Sequence, residues 1–307
     1  MKIGVLVSGL DVASVLSNIR AAEDSGLECA WMTSGGTAPD PLTIFAVAAA
    51  QTQRINLGTA IIQTFPRHPL ALVQQALVID QLAPGRLRLG VGPSGPMAIT
   101  PTFGIPFERP QEHLREYVQV LRNTLAGEDV NLKGKRISAR AKLAAPTGVT
   151  VMASALRASA FRVCGEVADG AISWLCPPAY LVASALPALA EGAETAGRPI
   201  PPLIAHLPVV IEADPAAARE AVRKAFGFFP RVKSYQDMFI DAGFPEAAEG
   251  AWSDAMVDAA AVHGSAERVE GRIRAMAGMG FSELMVSLVG GNSAAALELL
   301  GGLNRGA

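Results

Sequence analysis

Three stretches of this chain place small, hydroxyl-bearing and charged residues where a small molecule could be held. The first runs from Arg54 through Ile62 and on through Gln63, Thr64, Phe65, Pro66, Arg67, His68 and Pro69. It is an apolar run opened by an arginine and followed by polar side chains. The second is Gly90-Val91-Gly92-Pro93-Ser94-Gly95, a turn whose backbone amides can approach a ring edge or a phosphate because side chains are scarce. It is not a dinucleotide fingerprint, since the third glycine and a helix start are missing. The third is Met152-Ala153-Ser154-Ala155-Leu156-Arg157. There a strand gives way to a helix, and the free amides, Ser154 and Arg157 suit an anion. The pair Arg67-His68 offers an acid and an anion clamp, or else a helix cap before Pro69 and an ion-paired arginine. Ser34, at the end of a short apolar run, is a second polar candidate. His113, His206 and His263 lack metal-ligand spacing, no nucleophile elbow is present, and no cysteine reads as a nucleophile.

Positioning these stretches requires elements that recur. Short apolar runs at Ile3–Val7, Cys29–Met32, Ile55–Ile62, Leu87–Val91, Val149–Ala153, Gly170–Leu175, Leu203–Ile211 and Leu284–Leu288 read as buried parallel strands. Helical periodicity fills the intervals: Val12–Ser25 with Val15, Leu16 and Ile19 on one face, a helix opened by Asp40-Pro41, Leu70–Leu82, Pro110–Ala126, Ala155–Val167, Pro177–Gly197, a helix capped by Asp214-Pro215, and Ser265–Met279. Eight strand–helix units without a domain-scale linker predict one (β/α)8 TIM barrel over residues 1–307, with every strand's carboxyl end at one mouth. Insertions are expected near 97–110, 129–140 and 227–263. The first is a long loop suited to covering a ligand, the second a small hairpin turning near Gly134, and the third helical without a clean strand. Trp174, at the end of the sixth strand, reads as a pocket wall or as core.

Composition sets the class. Half of the 307 residues are hydrophobic and the net charge is −2 with both signs scattered, which predicts neither a nucleic-acid nor an anionic-membrane footprint. The three cysteines, Cys29, Cys164 and Cys176, have apolar neighbours and read as buried free thiols. The amino terminus lacks a signal-peptide pattern and no run approaches a membrane span, so the chain reads as soluble and cytoplasmic.

The motifs in order carry a resemblance. Ala22-Glu23-x-x-Gly26, Asp40-Pro41-Leu42-Thr43, Arg54-Ile55-x-Leu57-Gly58-Thr59, Arg67-His68-Pro69, Gly85-Arg86-x-x-Leu89-Gly90-x-Gly92 and Gly165-Glu166-x-Ala168-Asp169-Gly170 resemble the bacterial luciferase-like superfamily. The subgroup it looks most like uses the deazaflavin coenzyme F420, and Phe107–Pro110 with Leu114–Tyr117 resemble it too. The resemblance implies a luciferase-like barrel, a homodimer, and hydride transfer between F420 and a small organic substrate. It implies a non-prolyl cis peptide at Ala60–Ile61, in a bulge of the third strand, backing the ring, with Thr64 nearby. Gly92, Pro93 and Ser94 would hold the ring edge, and Ala153, Ser154, Ala155, Leu156 and Arg157 the phosphodiester tail. It leaves a reduced-FMN monooxygenase and a non-catalytic ligand-binding relative as alternatives. His68 and Ser34 are the candidates for the catalytic acid, which the resemblance does not assign; no metal is implied.

Overall fold

The computed structural model describes residues 1–291 and 293–306. Its core is a closed ring of eight parallel strands: β1 (Lys2–Leu6), β2 (Cys29–Met32), β3 (Asn56–Thr59) continued by β4 (Ile62–Gln63), β5 (Leu87–Gly92), β8 (Thr150–Ser154), β9 (Gly170–Ile172), β10 (Leu203–Ile211) and β12 (Glu283–Leu288), with β12 bonded back to β1. The remaining strands are accessory. β6 (Val130–Lys133) and β7 (Ser138–Ala141) form the expected hairpin, and β11 (Val262–Gly264) extends the sheet beside β10. Helices surround the ring, so each strand is covered on both faces and its sequence is a near-continuous apolar run.

Alternating side chains divide the strands into two packing regions. One set meets the helices in a large apolar layer. The other fills the barrel, where Cys29, Trp31, Ala60, Met152, Ile172, Ile204 and Met285 form a separate cluster. Below it, at the amino ends of the strands, Arg88 lies between Glu28 and the buried Glu283, and the Trp31 indole donates to Glu283 at 2.7 Å. Burial raises the Glu283 carboxyl above its ordinary range despite the facing guanidinium. Gly58 makes room for this plug: a Cβ there would sit 2.3 Å from the Trp31 ring. The barrel is therefore closed at one end by charge, filled in the middle by apolar side chains, and open only at the carboxyl ends.

Several boundaries differ from the sequence reading. The third strand is not continuous. Its pairing offset to β5 falls from 30 (Gly58 with Arg88) to 29 (Ile62 with Val91), so one extra residue bulges out between β3 and β4. The sixth strand stops at Ile172, three residues early, and beyond it Leu175 takes a left-handed φ of 57°. The helix expected from Ala155 starts at Ala158. The 97–110 stretch contains a helix, Pro96–Phe103, opened by a first-turn proline and ended by left-handed Gly104. Residues 227–263 are largely helical as read, but finish in β11.

Candidate functional site

The bulge between β3 and β4 lies at the mouth, and the Ala60–Ile61 peptide within it is cis, at the position the resemblance implied. Neighbouring strand ends hold it. Ala60 N–H donates to the Met32 carbonyl at 2.8 Å, and the Ser34 hydroxyl donates to the Ile61 carbonyl at 2.7 Å. On the other side Thr64 N–H donates to the Gly92 carbonyl at 3.0 Å. Gly92 has no room for a side chain: a Cβ would lie 2.1 Å from Ser154 Oγ and 3.1 Å from Ile61 Cγ1. Three stretches that are distant in sequence thus meet at one point, at Ile61, Gly92 and Ser154. Thr64, whose N–H bonds Gly92, carries a buried hydroxyl with no hydrogen-bond partner among the described residues. Ser94 stands in the left-handed region at φ 62° and its hydroxyl accepts from the Gln63 amide at 3.3 Å. Beside the bulge opens a cavity of about 180 Å³ lined in part by Ser34, Gly36, Asp40, Gln63, Arg67 and Phe103. The helix Pro96–Phe103 therefore brings a side chain to the mouth, as a covering segment would.

The sequence candidates for acid chemistry are otherwise engaged. His68 caps the helix Pro69–Leu82: Nδ1 accepts from Leu70 N–H at 3.2 Å and Nε2 lies 3.2 Å from the Ser138 carbonyl of the hairpin. Both ring nitrogens are committed to structure. Arg67 pairs with Asp40 at 3.0 Å and bonds Gln75. Ser34 borders the cavity, but its hydroxyl is spent on the bulge. Ala153 lies within β8, and Ala153 and Ala155 are buried in the helix-facing apolar layer with Leu156 packed against it. The helix that follows has no side-chain cap, although its Ala160 N–H already bonds the Arg157 carbonyl at 2.9 Å. Arg157 turns instead to the insertion, bonding Asp241 at 2.7 Å and Asp237 at 3.5 Å.

Sequence reasoning missed one constellation. His206, on β10, is fully enclosed; its Nδ1 accepts from Leu175 N–H at 3.1 Å and its Nε2 faces Ser287 Oγ at 2.7 Å. Trp174 stacks on the imidazole with centroids 3.8 Å apart and planes 8° from parallel. Burial pushes the His206 pKa down to about 3, so the ring is neutral at physiological pH. With Nδ1 accepting, the ring proton sits on Nε2 and donates to Ser287. The signal was present as period-two alternation: Ile204 and His206, Met285 and Ser287 each share a strand face, with Trp174 just past the end of β9. Widely spaced histidines did not reveal it.

Comparison with known proteins agrees with the fold. The family described as luciferase-like monooxygenase matches residues 4–283. The chain is 27% identical to the 5,10-methylenetetrahydromethanopterin reductase of Methanolobus tindarius, covering 94% of this chain and 95% of that one. It is 35% identical to the F420-dependent glucose-6-phosphate dehydrogenase of Beutenbergia cavernae over 63% of this chain and 60% of the relative. Among solved structures, an F420-dependent secondary alcohol dehydrogenase bound to an F420–acetone adduct superposes with a TM-score of 0.84 at 19% identity, covering 98% and 97% of the two chains. The FMN-bound oxygenating component of a Pseudomonas putida diketocamphane monooxygenase superposes at 0.73 and 19% identity, over 98% and 97%. The chain belongs to the luciferase-like monooxygenase family, and its relatives there include F420-dependent oxidoreductases.

Proposed function

We propose that this protein is an F420-dependent oxidoreductase that transfers a hydride between the coenzyme and a small organic substrate, and that it works as a homodimer. The observation that carries the proposal is the seat where Ile61, Gly92 and Ser154 converge beside the unpartnered Thr64 hydroxyl. The absent side chain at Gly92 lets Ile61 and Ser154 close onto its backbone and so fixes the bulge that would back a flat ring, and a buried hydroxyl without a partner is a group waiting for one. The uncapped helix start at Ala158 supplies amides suited to a phosphodiester. The residues present therefore fit the coenzyme. When bound, the deazaflavin supplies two-electron hydride chemistry. The chain's own contribution is orientation and exclusion of water: the bulge and Gly92 fix a plane, Ser34 fixes the bulge, and the helix Pro96–Phe103 stands over one side. For the dimer, the support is the helices Pro41–Gln51 and Pro69–Leu82. The first has no charged residue and the second only Asp80, and Val47, Val78 and Leu82 stay exposed on them.

The test is aerobic incubation with each reduced coenzyme. The expected result is reoxidation of reduced F420 only when an organic hydride acceptor is added, at a rate indifferent to oxygen. Oxygen-dependent consumption of reduced FMN with an oxygenated product would place the activity with the monooxygenases of the family instead.

A further inference from the structure

The barrel's inner residues form layers of different chemistry. The lowest is ionic, with Arg88 and Glu283, and the next is apolar, with Met152, Ile172, Ile204 and Met285. Two residues further on stand Ser154, His206 and Ser287 on their strands and Trp174 just past the end of β9. This upper layer hydrogen-bonds but bears no formal charge. It also has a side. In the ring of eight, β10 lies four places from β3, so His206 and its neighbours face the Ala60–Ile61 bulge across the mouth. Trp174 and Ile61 pack against the same inner cluster, which seats the two walls on one apolar layer.

Two donors on that far wall are unspent. The Trp174 indole N–H is buried with no partner among the described residues. Ser287 Oγ accepts from His206 and, among the described residues, its own hydroxyl donates to none. Aromatic carbon surrounds them: Phe226 meets His206 edge-on at 5.9 Å, and Phe229 lies 6.2 Å from Trp174 and 6.1 Å from Phe226. From this wall we infer the substrate class: an uncharged small molecule, apolar or aromatic in its carbon skeleton, whose single carbonyl or hydroxyl oxygen is held by Ser287 and the Trp174 N–H. The inference rests on the hydride-transfer reading and deepens it. An anionic substrate would shed its hydration against a wall that returns no counter-charge. His206 is a positioning residue here. Its Nδ1 is already an acceptor, so passing on the Nε2 proton would leave an imidazolate; it orients the Ser287 hydroxyl, which binds the oxygen without supplying a net proton.

The experiment uses the intact protein and small neutral ketones, cyclohexanone among them, each paired with its carboxylated analogue. Binding is read as saturable quenching of tryptophan fluorescence without coenzyme, and W174F assigns the signal to that indole. Neutral ketones are expected to bind at least about a hundredfold more tightly than their carboxylates. S287A should weaken them about tenfold, with S287T retaining affinity and F420 affinity unchanged in both. Carboxylates binding as well as the ketones, no saturable quenching by any neutral member, or S287A binding like the wild type would each overturn the inference. Failure of F420 to bind while the ketones do would sink the hydride-transfer reading and leave the uncharged wall standing.

Discussion

At the scale of single residues, Gly92 and His206 carry the heaviest constraints. A Cβ at position 92 would lie 2.1 Å from Ser154 Oγ. G92A should therefore destabilise the fold by about 1–3 kcal/mol through overpacking and weaken coenzyme binding more than tenfold. Removing the obstructing hydroxyl in G92A/S154A should recover part of both, read by thermal melting and by coenzyme titration; unchanged affinity in G92A would mean that the ring does not sit there. His206 makes a pH prediction whose sign follows from its depressed pKa. Unfolded histidine titrates near 6.5 and the folded residue near 3, so between these values the unfolded chain holds the extra proton. Stability is present above 6.5 and falls as the pH drops toward 3, by about 1.4 kcal/mol per pH unit for this one group. Urea midpoints compared at about pH 7 and pH 5 should differ less in H206N than in the wild type. An equal difference in both would assign the acid sensitivity elsewhere.

At the scale of elements, the plug at the closed end of the barrel is separable from the mouth. Arg88 is the main counter-charge to the nearly inaccessible Glu283. R88A leaves that carboxylate buried without its partner and should cost about 3–5 kcal/mol in denaturant unfolding while leaving coenzyme affinity intact. A coupled loss of affinity would show that the plug shapes the mouth. Most elements were legible in the sequence because parallel strands buried on both faces read as uninterrupted apolar runs; Leu203–Ile211 matches residue for residue. The bulge was not visible as a break in the apolar run, since Ala60 and Ile61 are as apolar as the strand around them; only the resemblance implied it, and the pairing offset bears it out. Gly92, Ser154 and Thr64 were picked out by residue type and resemblance, yet their convergence depends on ring closure. The roles of His68 and Arg157 depend on partners far away in sequence, Ser138 for one and Asp237 and Asp241 for the other. No spacing rule within the chain encodes such pairs.

At the scale of the whole molecule, two surfaces are left apolar. One is the mouth, where Leu10, Met97, Phe103 and Phe228 stay exposed on loops and the insertion. The other is the outer face of the helices Pro41–Gln51 and Pro69–Leu82. A charged pair placed there, V78D/L82D, should shift the protein from dimer to monomer in sedimentation velocity with its far-ultraviolet dichroism unchanged; a monomeric wild type would remove the dimer proposal. Among the described residues, no helix is long and apolar enough to cross a membrane. The central claim concerns which coenzyme the mouth is built to hold. The most direct measurement is equilibrium titration of the purified protein with F420 and, in parallel, FMN, following each cofactor's own fluorescence. Tight saturable binding of F420 with weak FMN binding is the expected result, and preference for FMN, or no binding of F420, would contradict it.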